Sequence, residues 1–573
     1  MGTMTFFTAP YRLADWAGLE QSYMTGYDGR VFPTQIAVAA QPDDDTVELS
    51  VRATGEEDTA VSKGDDRPIA DGVADQGADR VASGVSDPDS LLLGDGDADG
   101  IDPGDTVDLV AVDEAILQRR IEAEQSGRVE SDTRLEERTQ LRPPGNGRLY
   151  CRRPVSDSGK LRVVWPVDGI GYRLLSTSSL REQAEPYLLS LELARGLVGD
   201  LRTQAANWKM GGMMLPAAFL EAESEAFSLF AAAACRQDDL IEAGRLADRA
   251  LAAGCRASDE LMRAYTLQKL AVHRSRGQTI PAVLGCGVRS LPDAPLTERF
   301  TKAFSATALP MDWRAIEPRE NDLDWSLTDR LVDWGQASDL LMKTGPLLDF
   351  REGGLPEWVH QWSVDQSNLL SFLCDFVECA KARYRSRVKF WSLAIGACTG
   401  GAFGLTEEQR LTLVARLLEA ARGSDDDSQV FLEIDEPWGE YQSAGHHRIA
   451  PLQFVDAIAR SNLGLEGLVL RLDLTADGGL ARYRLLADTS RLVDQWSLFG
   501  LPLHIRLIVP TDQIDAPHWL SDQLPLLMAK PAVTAVFWSR YQDTATLSTG
   551  AITVSGEAKP THTVFANHHR QNR

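Results

Sequence analysis

Eight short apolar runs, each followed by a stretch with helical periodicity, fill residues 279–573. The runs are Ala282–Val288, Ala303–Leu309, Leu340–Leu348, Val388–Ile395, Val430–Ile434, Leu468–Leu474, Leu503–Val509 and Val533–Trp538. Segments between them, such as Leu369–Arg383, Thr406–Arg422, Pro451–Arg460 and Ser490–Phe499, repeat apolar residues at three- and four-residue spacing. Few folds accept this pattern. Strands that are apolar on both faces belong to parallel sheets covered by helices. Eight such alternations over about 290 residues match an α/β fold of the (β/α)8 TIM type.

Upstream the texture changes three times. Residues 1–40 and 145–178 hold short apolar-aromatic runs broken by Gly, Asp and Pro, which predicts one small β-domain. Between them, residues 41–144 are dominated by Asp, Glu, Gly and Ser and contain no aromatic residue. Such a segment buries too little apolar surface to offset its ordering entropy, so it is expected to be a disordered acidic insertion with one short helix near Val112–Glu124. Within it, Asp95, Asp97, Asp99 and Gly100 imitate the start of a calcium loop, but the twelfth position is Thr106 rather than a bidentate carboxylate. Residues 179–278 read as helical, with apolar periodicity in Leu188–Leu201, Met214–Ala234, Leu240–Leu251 and Leu261–Val272.

The totals exclude some functions. A net charge of -25 argues against nucleic acid as a partner, since phosphate binding needs clustered Lys and Arg. The seven cysteines have no metal spacing and read as reduced, buried thiols. No run approaches the ~20 apolar residues of a membrane span. The start, M-G-T-M-T-F-F-T-A-P, has no basic region ahead of an apolar core. A soluble, cytoplasmic chain is the expectation, and its oligomeric state is not specified. No cofactor signature is present: Gly400–Gly404 lacks the Lys-Ser/Thr of a phosphate loop. His446-His447 has no third ligand nearby, so no metal is expected.

Several stretches of residues 279–573 follow a known order. Phe304–Trp325 reads F-S-A-T-A-L-P-M-D-W-R-A-I-E-P-R-E-N-D-L-D-W, Leu355–Val359 reads L-P-E-W-V, Arg383–Trp391 reads R-Y-R-S-R-V-K-F-W and Gly556–Pro560 reads G-E-A-K-P. In this order and spacing they resemble glycoside hydrolase family 10, the retaining xylanase family. The resemblance implies a carbohydrate ligand and a pair of catalytic Glu residues at the ends of the fourth and seventh strands. Aligned on the family's W-D-V-V-N-E and H-I-T-E patterns, those Glu positions fall on Gly396 and Leu507. The third-strand H-T-L-V-W-H of the family begins here with Lys343 and lacks both histidines. Retaining hydrolysis needs two carboxyl groups about 5–5.5 Å apart, and neither Gly nor Leu supplies one.

A carboxylate-rich rim remains in V-F-L-E-I-D-E-P-W-G-E-Y, Val430–Tyr441. Charge at the end of a buried strand is costly, so chemistry or binding is the first suspicion. Glu433 and Asp435 share one face of the fifth strand, and Glu436 takes the other. Glu436 and Glu440 are the catalytic candidates, partnered by Asp349 or Asp543 at the ~6.5–9.5 Å separation of an inverting pair. Asp349, Trp438, Tyr441, Arg506, Trp538 and Asp543 are the candidate substrate contacts. The competing reading is an ion network in which these carboxylates pair with Arg471 and Arg506 on the sixth and seventh strands. Three functions therefore stand side by side: a barrel that binds carbohydrate without the standard mechanism, a divergent hydrolase with relocated carboxylates, and a non-enzymatic structural or interaction protein.

Overall fold

Strand pairing closes the C-terminal half into a barrel. The computed structural model describes residues 2–8, 22–26, 30–32, 34–39, 148–153, 157–277, 282–400, 403–424, 427–444, 447–475 and 479–572. The barrel strands are β1 (Val283–Gly287), β2 (Ala306–Leu309), β3 (Leu341–Thr344), β4 (Phe390–Ser392), β5 (Gln429–Ile434), β6 (Gly467–Asp473), β7 (Leu503–Ile508) and β8 (Val533–Trp538). All are parallel, and β8 closes onto β1 with Trp538 opposite Cys286. Each lies within, or one residue beyond, an apolar run of the sequence. The second starts at Ala306 rather than Ala303 because helix Ala294–Ala303 is still running there. The third breaks after Thr344, and its tail Leu348–Asp349 pairs separately with Ala394–Ile395 beyond β4.

Alternation divides each strand between two cores. Outward residues such as Leu432, Leu470, Leu507 and Trp538 join the layer between barrel and helices. Inward residues build a narrow interior whose lower layer is aromatic. His504 stacks on Phe431 at a centroid distance of 4.1 Å, and Phe390 and Phe537 close around them. Those rings leave no room for side chains on two neighbouring strands. A Cβ at Gly285 would lie 2.3 Å from Phe537, and one at Gly467 would lie 2.1 Å from Phe431. Large and small residues are thus matched across the layer, as the interior of a small barrel requires. Burial and nearby Lys343 push the His504 pKa well down, so its imidazole is neutral.

Helix starts follow local chemistry. The tripeptide Asp-Ala-Pro occurs at residues 293–295 and 515–517; in each case the Asp caps a helix and the Pro sits in its first turn. Among the described residues upstream lie the helices Leu189–Met210, Ala217–Ala234 and Leu240–Ser275. The two C-terminal periodic runs of that region are one 36-residue helix. Nothing between them breaks it: Gly254 sits mid-helix because a Cβ there would lie 2.8 Å from Leu197. Cys374 and Cys379 lie together on helix Gln366–Arg383, but not every thiol is buried: Cys235 and Cys379 are exposed.

The N-terminal strands form two four-stranded sheets. Strand Gln35–Ala39 pairs antiparallel with Arg148–Arg153, so the β-structure on either side of the acidic stretch is continuous. Residues 41–144 themselves, with the calcium-loop imitation and the short helix read from sequence, lie outside the described residues. The second sheet meets the barrel through Leu480 and Tyr483, which pack on Tyr23, Val31, Val164 and Leu174. Among the described residues, no helix is long and apolar enough to cross a membrane.

Candidate functional site

At the C-terminal mouth the inward positions change from aromatic to charged. Lys343, Ser392, Glu433 and Arg506 form the layer above His504, with Arg471, Asp473, Asp435, Asp349 and Arg351 at or beyond the strand ends. These charges divide into two sides.

Toward β4, β5 and β6 the carboxylates are engaged. Glu433, 1% exposed, accepts from Arg506 Nη1 at 2.6 Å. Burial alone would raise its pKa, but Arg506, Lys343 and Arg471 outweigh that and hold it below the usual carboxylate range. Asp349 is gripped by Arg351 through two bonds of 2.8 and 2.5 Å, which likewise overcome burial and lower its pKa. Asp473 is paired with Arg471 and also accepts from Thr475 Oγ1 at 2.6 Å. Asp435 accepts from Thr399 at 2.8 Å with one oxygen; its other oxygen is shielded and has no hydrogen-bond partner. Burial raises the Asp435 pKa, with Thr399 opposing.

The remaining sequence candidates disperse from this centre. Glu440 points to the β-domain, where it pairs with Arg484, and Arg484 donates to Tyr23 Oη at 3.0 Å. Trp438 lies under the same guanidinium, 4.2 Å from its ring centroid. Tyr441 donates to Ile449 O at 3.1 Å, tying down its own loop. Trp538 is fully buried in the helical layer and donates to Thr549 O at 2.8 Å. Asp543 is paired with Lys559 at 2.5 Å and accepts from Gly550 N at 2.7 Å. Glu436 stands apart: it is exposed by area, yet crowded enough by its loop that its pKa is pushed up to about 7, with Asp435 and Glu440 adding repulsion. Of the eight candidates, Asp349, Arg506 and Glu436 stay at the mouth. The other five serve the packing of loops and domains.

On the opposite side, toward β1, β2, β3, β7 and β8, lies a hollow of about 440 Å³ open to solvent. Arg289, Asp312, Lys343, Glu433 and Arg506 line it, with backbone from Gly287, Gly345 and Ser539. Arg289 is paired with Asp312 and Arg506 with Glu433. Lys343 is 3% exposed, and among the described residues no hydrogen bond or ion pair engages its Nζ. Its Nζ lies over the ring of Phe537, 5.0 Å from the centroid. Burial, with help from Arg506 and against Glu433, brings its pKa down to about 8. Sequence reasoning passed over Lys343 as a site residue, although a lysine inside the apolar L-M-K-T strand was a visible signal.

Residues 297–396 match the glycosyl hydrolase family 10 model, a span ending at Gly396 just beyond β4. Among solved structures, native xylanase 10B from Thermotoga maritima is similar at 14% identity, covering 51% of this chain and 97% of that one, with a TM-score of 0.42. Xylanase 10B from Thermotoga petrophila in complex with xylobiose gives 13%, 51%, 96% and 0.41. The intracellular xylanase TsXylA from Thermoanaerobacterium saccharolyticum, a mutant complexed with xylotetraose, gives 16%, 50%, 95% and 0.40. The barrel assignment rests on the strand order itself and not on these distant likenesses.

Proposed function

We propose that this chain is a family-10-like barrel protein that binds carbohydrate at the C-terminal mouth and does not run the family's retaining mechanism. One observation carries the reading: Glu433, Asp349 and Asp473, three carboxylates of the mouth, are each held by an arginine. A carboxylate locked to a guanidinium is a poor proton donor and a hindered nucleophile. The family's Glu positions, as the resemblance aligns them, carry Gly396 and Leu507. Strand alternation turns Leu507 to the helices, leaving Arg506 as its inward neighbour. Gly396 has φ +76°, and a Cβ there would lie 2.9 Å from Arg351 Cγ and 3.0 Å from its backbone N, so a side chain at 396 is opposed twice over.

A second reading keeps a specific observation in its favour. Glu436, its pKa pushed up to about 7, keeps a substantial protonated fraction at neutral pH, as a general acid needs, and the shielded oxygen of Asp435 is beside it in sequence. The two are separated by incubating the full chain with xylan, glucan and mannan, following both binding and reducing ends. Binding without turnover, unchanged by Glu436→Gln, is the expected result. Turnover that disappears with Glu436→Gln would replace it with the divergent hydrolase.

A further inference from the structure

A buried ammonium without a partner is expensive, and proteins rarely keep one unless something outside the fold answers it. Lys343 comes close to that case: it is buried, makes no hydrogen bond or ion pair among the described residues, and lines an open hollow rather than a closed core. Its position is fixed by the ladder: β3 is held between β2 and β4, with Lys343 opposite Ala308 on one side and Phe390 on the other. Ala308 lines the hollow beside it, and the Lys343 ammonium lies over the Phe537 ring, 5.0 Å from its centroid.

The charge around this hollow does not balance. Arg289 and Arg506 are ion-paired with Asp312 and Glu433, whereas Lys343, among the described residues, makes no hydrogen bond or ion pair and has only the Phe537 ring and the more distant field of Glu433, which Arg506 already holds. Arg540, one residue beyond the lining residue Ser539, adds a fourth cation. Burial first, then the like charges of Arg289 and Arg506, lower its pKa, which puts these guanidiniums in one field. The one carboxylate that favours its charge, Asp543, is already taken by Lys559. Four cations thus face two carboxylates. A second hollow, lined by Arg162, Asp200, Asp488 and Arg491, has no such excess: its two cations face two acids, and Arg491 bonds both acids at 3.1 and 2.8 Å.

We propose that the hollow between β1, β2, β3, β7 and β8 is an oxyanion subsite, in which Lys343 receives the carboxylate or phosphate of an acidic sugar. The sugar part of this inference rests on the carbohydrate reading above; the anion part rests on the charge of the hollow alone. Neutral hydroxyls would leave cationic donors in excess, whereas one oxyanion answers Lys343 and shares its second oxygen with the guanidiniums. Asp312 and Glu433 remain on the wall, so a densely charged polyanion is repelled and a single anionic group is favoured.

Calorimetric titration of the full chain with glucuronate, glucose 6-phosphate, inorganic phosphate and xylobiose tests this. The expected result is that an acidic sugar binds at least tenfold more tightly than xylobiose. Lys343→Met should weaken that binding by roughly tenfold to a hundredfold, the worth of one charge-assisted hydrogen bond, while Lys343→Arg restores part of it. Circular dichroism on each variant separates lost binding from lost folding, and Arg540→Gln, on the rim, provides a second variant with an expected several-fold weakening. Glucuronate binding without glucose 6-phosphate assigns a carboxylate; the reverse assigns a phosphate. Neutral sugars binding equally well and indifferently to Lys343→Met would overturn the anion subsite and leave the carbohydrate reading standing. Inorganic phosphate binding as tightly as glucose 6-phosphate would keep the anion subsite and sink the carbohydrate reading.

Discussion

The two sides of one barrel mouth solve the same problem in opposite ways. Toward β4, β5 and β6, charge brought to the ends of buried strands is neutralised in place: Arg351 on Asp349, Arg506 on Glu433, Arg471 on Asp473. The adjoining β-domain seals that side through Arg484, Glu440 and Tyr23. Toward β1, β2, β3, β7 and β8, charge is left over, and the hollow stays open. Paired charge is structure, whereas unpaired charge next to solvent is capacity for a ligand. The side with more carboxylates is therefore the less promising one, which reverses what their number in the sequence implies.

This contrast predicts opposite stability effects. Removing one partner on the sealed side strands the other: Glu440→Ala leaves the Arg484 side chain, 2% exposed, without its carboxylate. A loss of about 3–5 kcal/mol is expected, read as a lower urea midpoint. On the open side, Lys343→Met removes a desolvated cation and keeps the volume, so stability should stay level or rise by about 1–2 kcal/mol while anion binding falls. Equal destabilisation by both substitutions would erase the distinction between the sides.

Acidity sharpens the comparison next. Lys343 faces Glu433 on β5 and Arg506 and His504 on β7, with Arg289 and Asp312 on the rim. Its pKa is about 8 when folded against 10.5 when free, so between those values the unfolded chain binds more protons there. Stability of the free protein should rise through that window, while affinity for an acidic sugar falls as the ammonium is lost. A bound anion favours the charged lysine, so the fall moves to higher pH when ligand is saturating. A flat affinity profile from pH 7 to 10 would exclude Lys343 as the receiving group.

The smallest effect belongs to Glu436. Its pKa rises from 4.5 to about 7 on folding, so the folded chain holds the proton more tightly. The stability this contributes is present below pH 4.5 and lost as pH climbs through about 7. Glu436→Gln should flatten that part of the melting-temperature profile, and an unchanged slope would mean the carboxyl is not crowded as described.

Much of the fold was legible because it is written locally. Near-continuous apolar runs identify the strands, and three- and four-residue apolar spacing identifies helices such as Gln366–Arg383 and Pro451–Arg460. The single helix Leu240–Ser275 was hidden because its buried middle is made of small residues, Ala252, Ala253, Gly254, Cys255, Ala257 and Ser258, which pack without continuing the rhythm of large apolar side chains. The site was legible only in part, since its meaning lies in pairings between distant residues. Glu433 finds Arg506 across 73 positions and Glu440 finds Arg484 across 44, and no local pattern announces either. Trp438 and Trp538 follow the position of rim aromatics in sequence, but one lies beneath Arg484 and the other faces the helices. Lys343 was the reverse case, a single charge in an apolar strand whose place beside an open hollow, without an ion pair among the described residues, only the three-dimensional arrangement discloses.

The most direct measurement is a crystal structure of the full chain soaked with a uronic-acid disaccharide. The expected density is an intact disaccharide with its carboxylate within hydrogen-bond distance of Lys343 Nζ, leaving the Glu433–Arg506 and Asp349–Arg351 pairs in place. A ligand lodged against Glu436 with those pairs opened, or a cleaved product in the mouth, would contradict it.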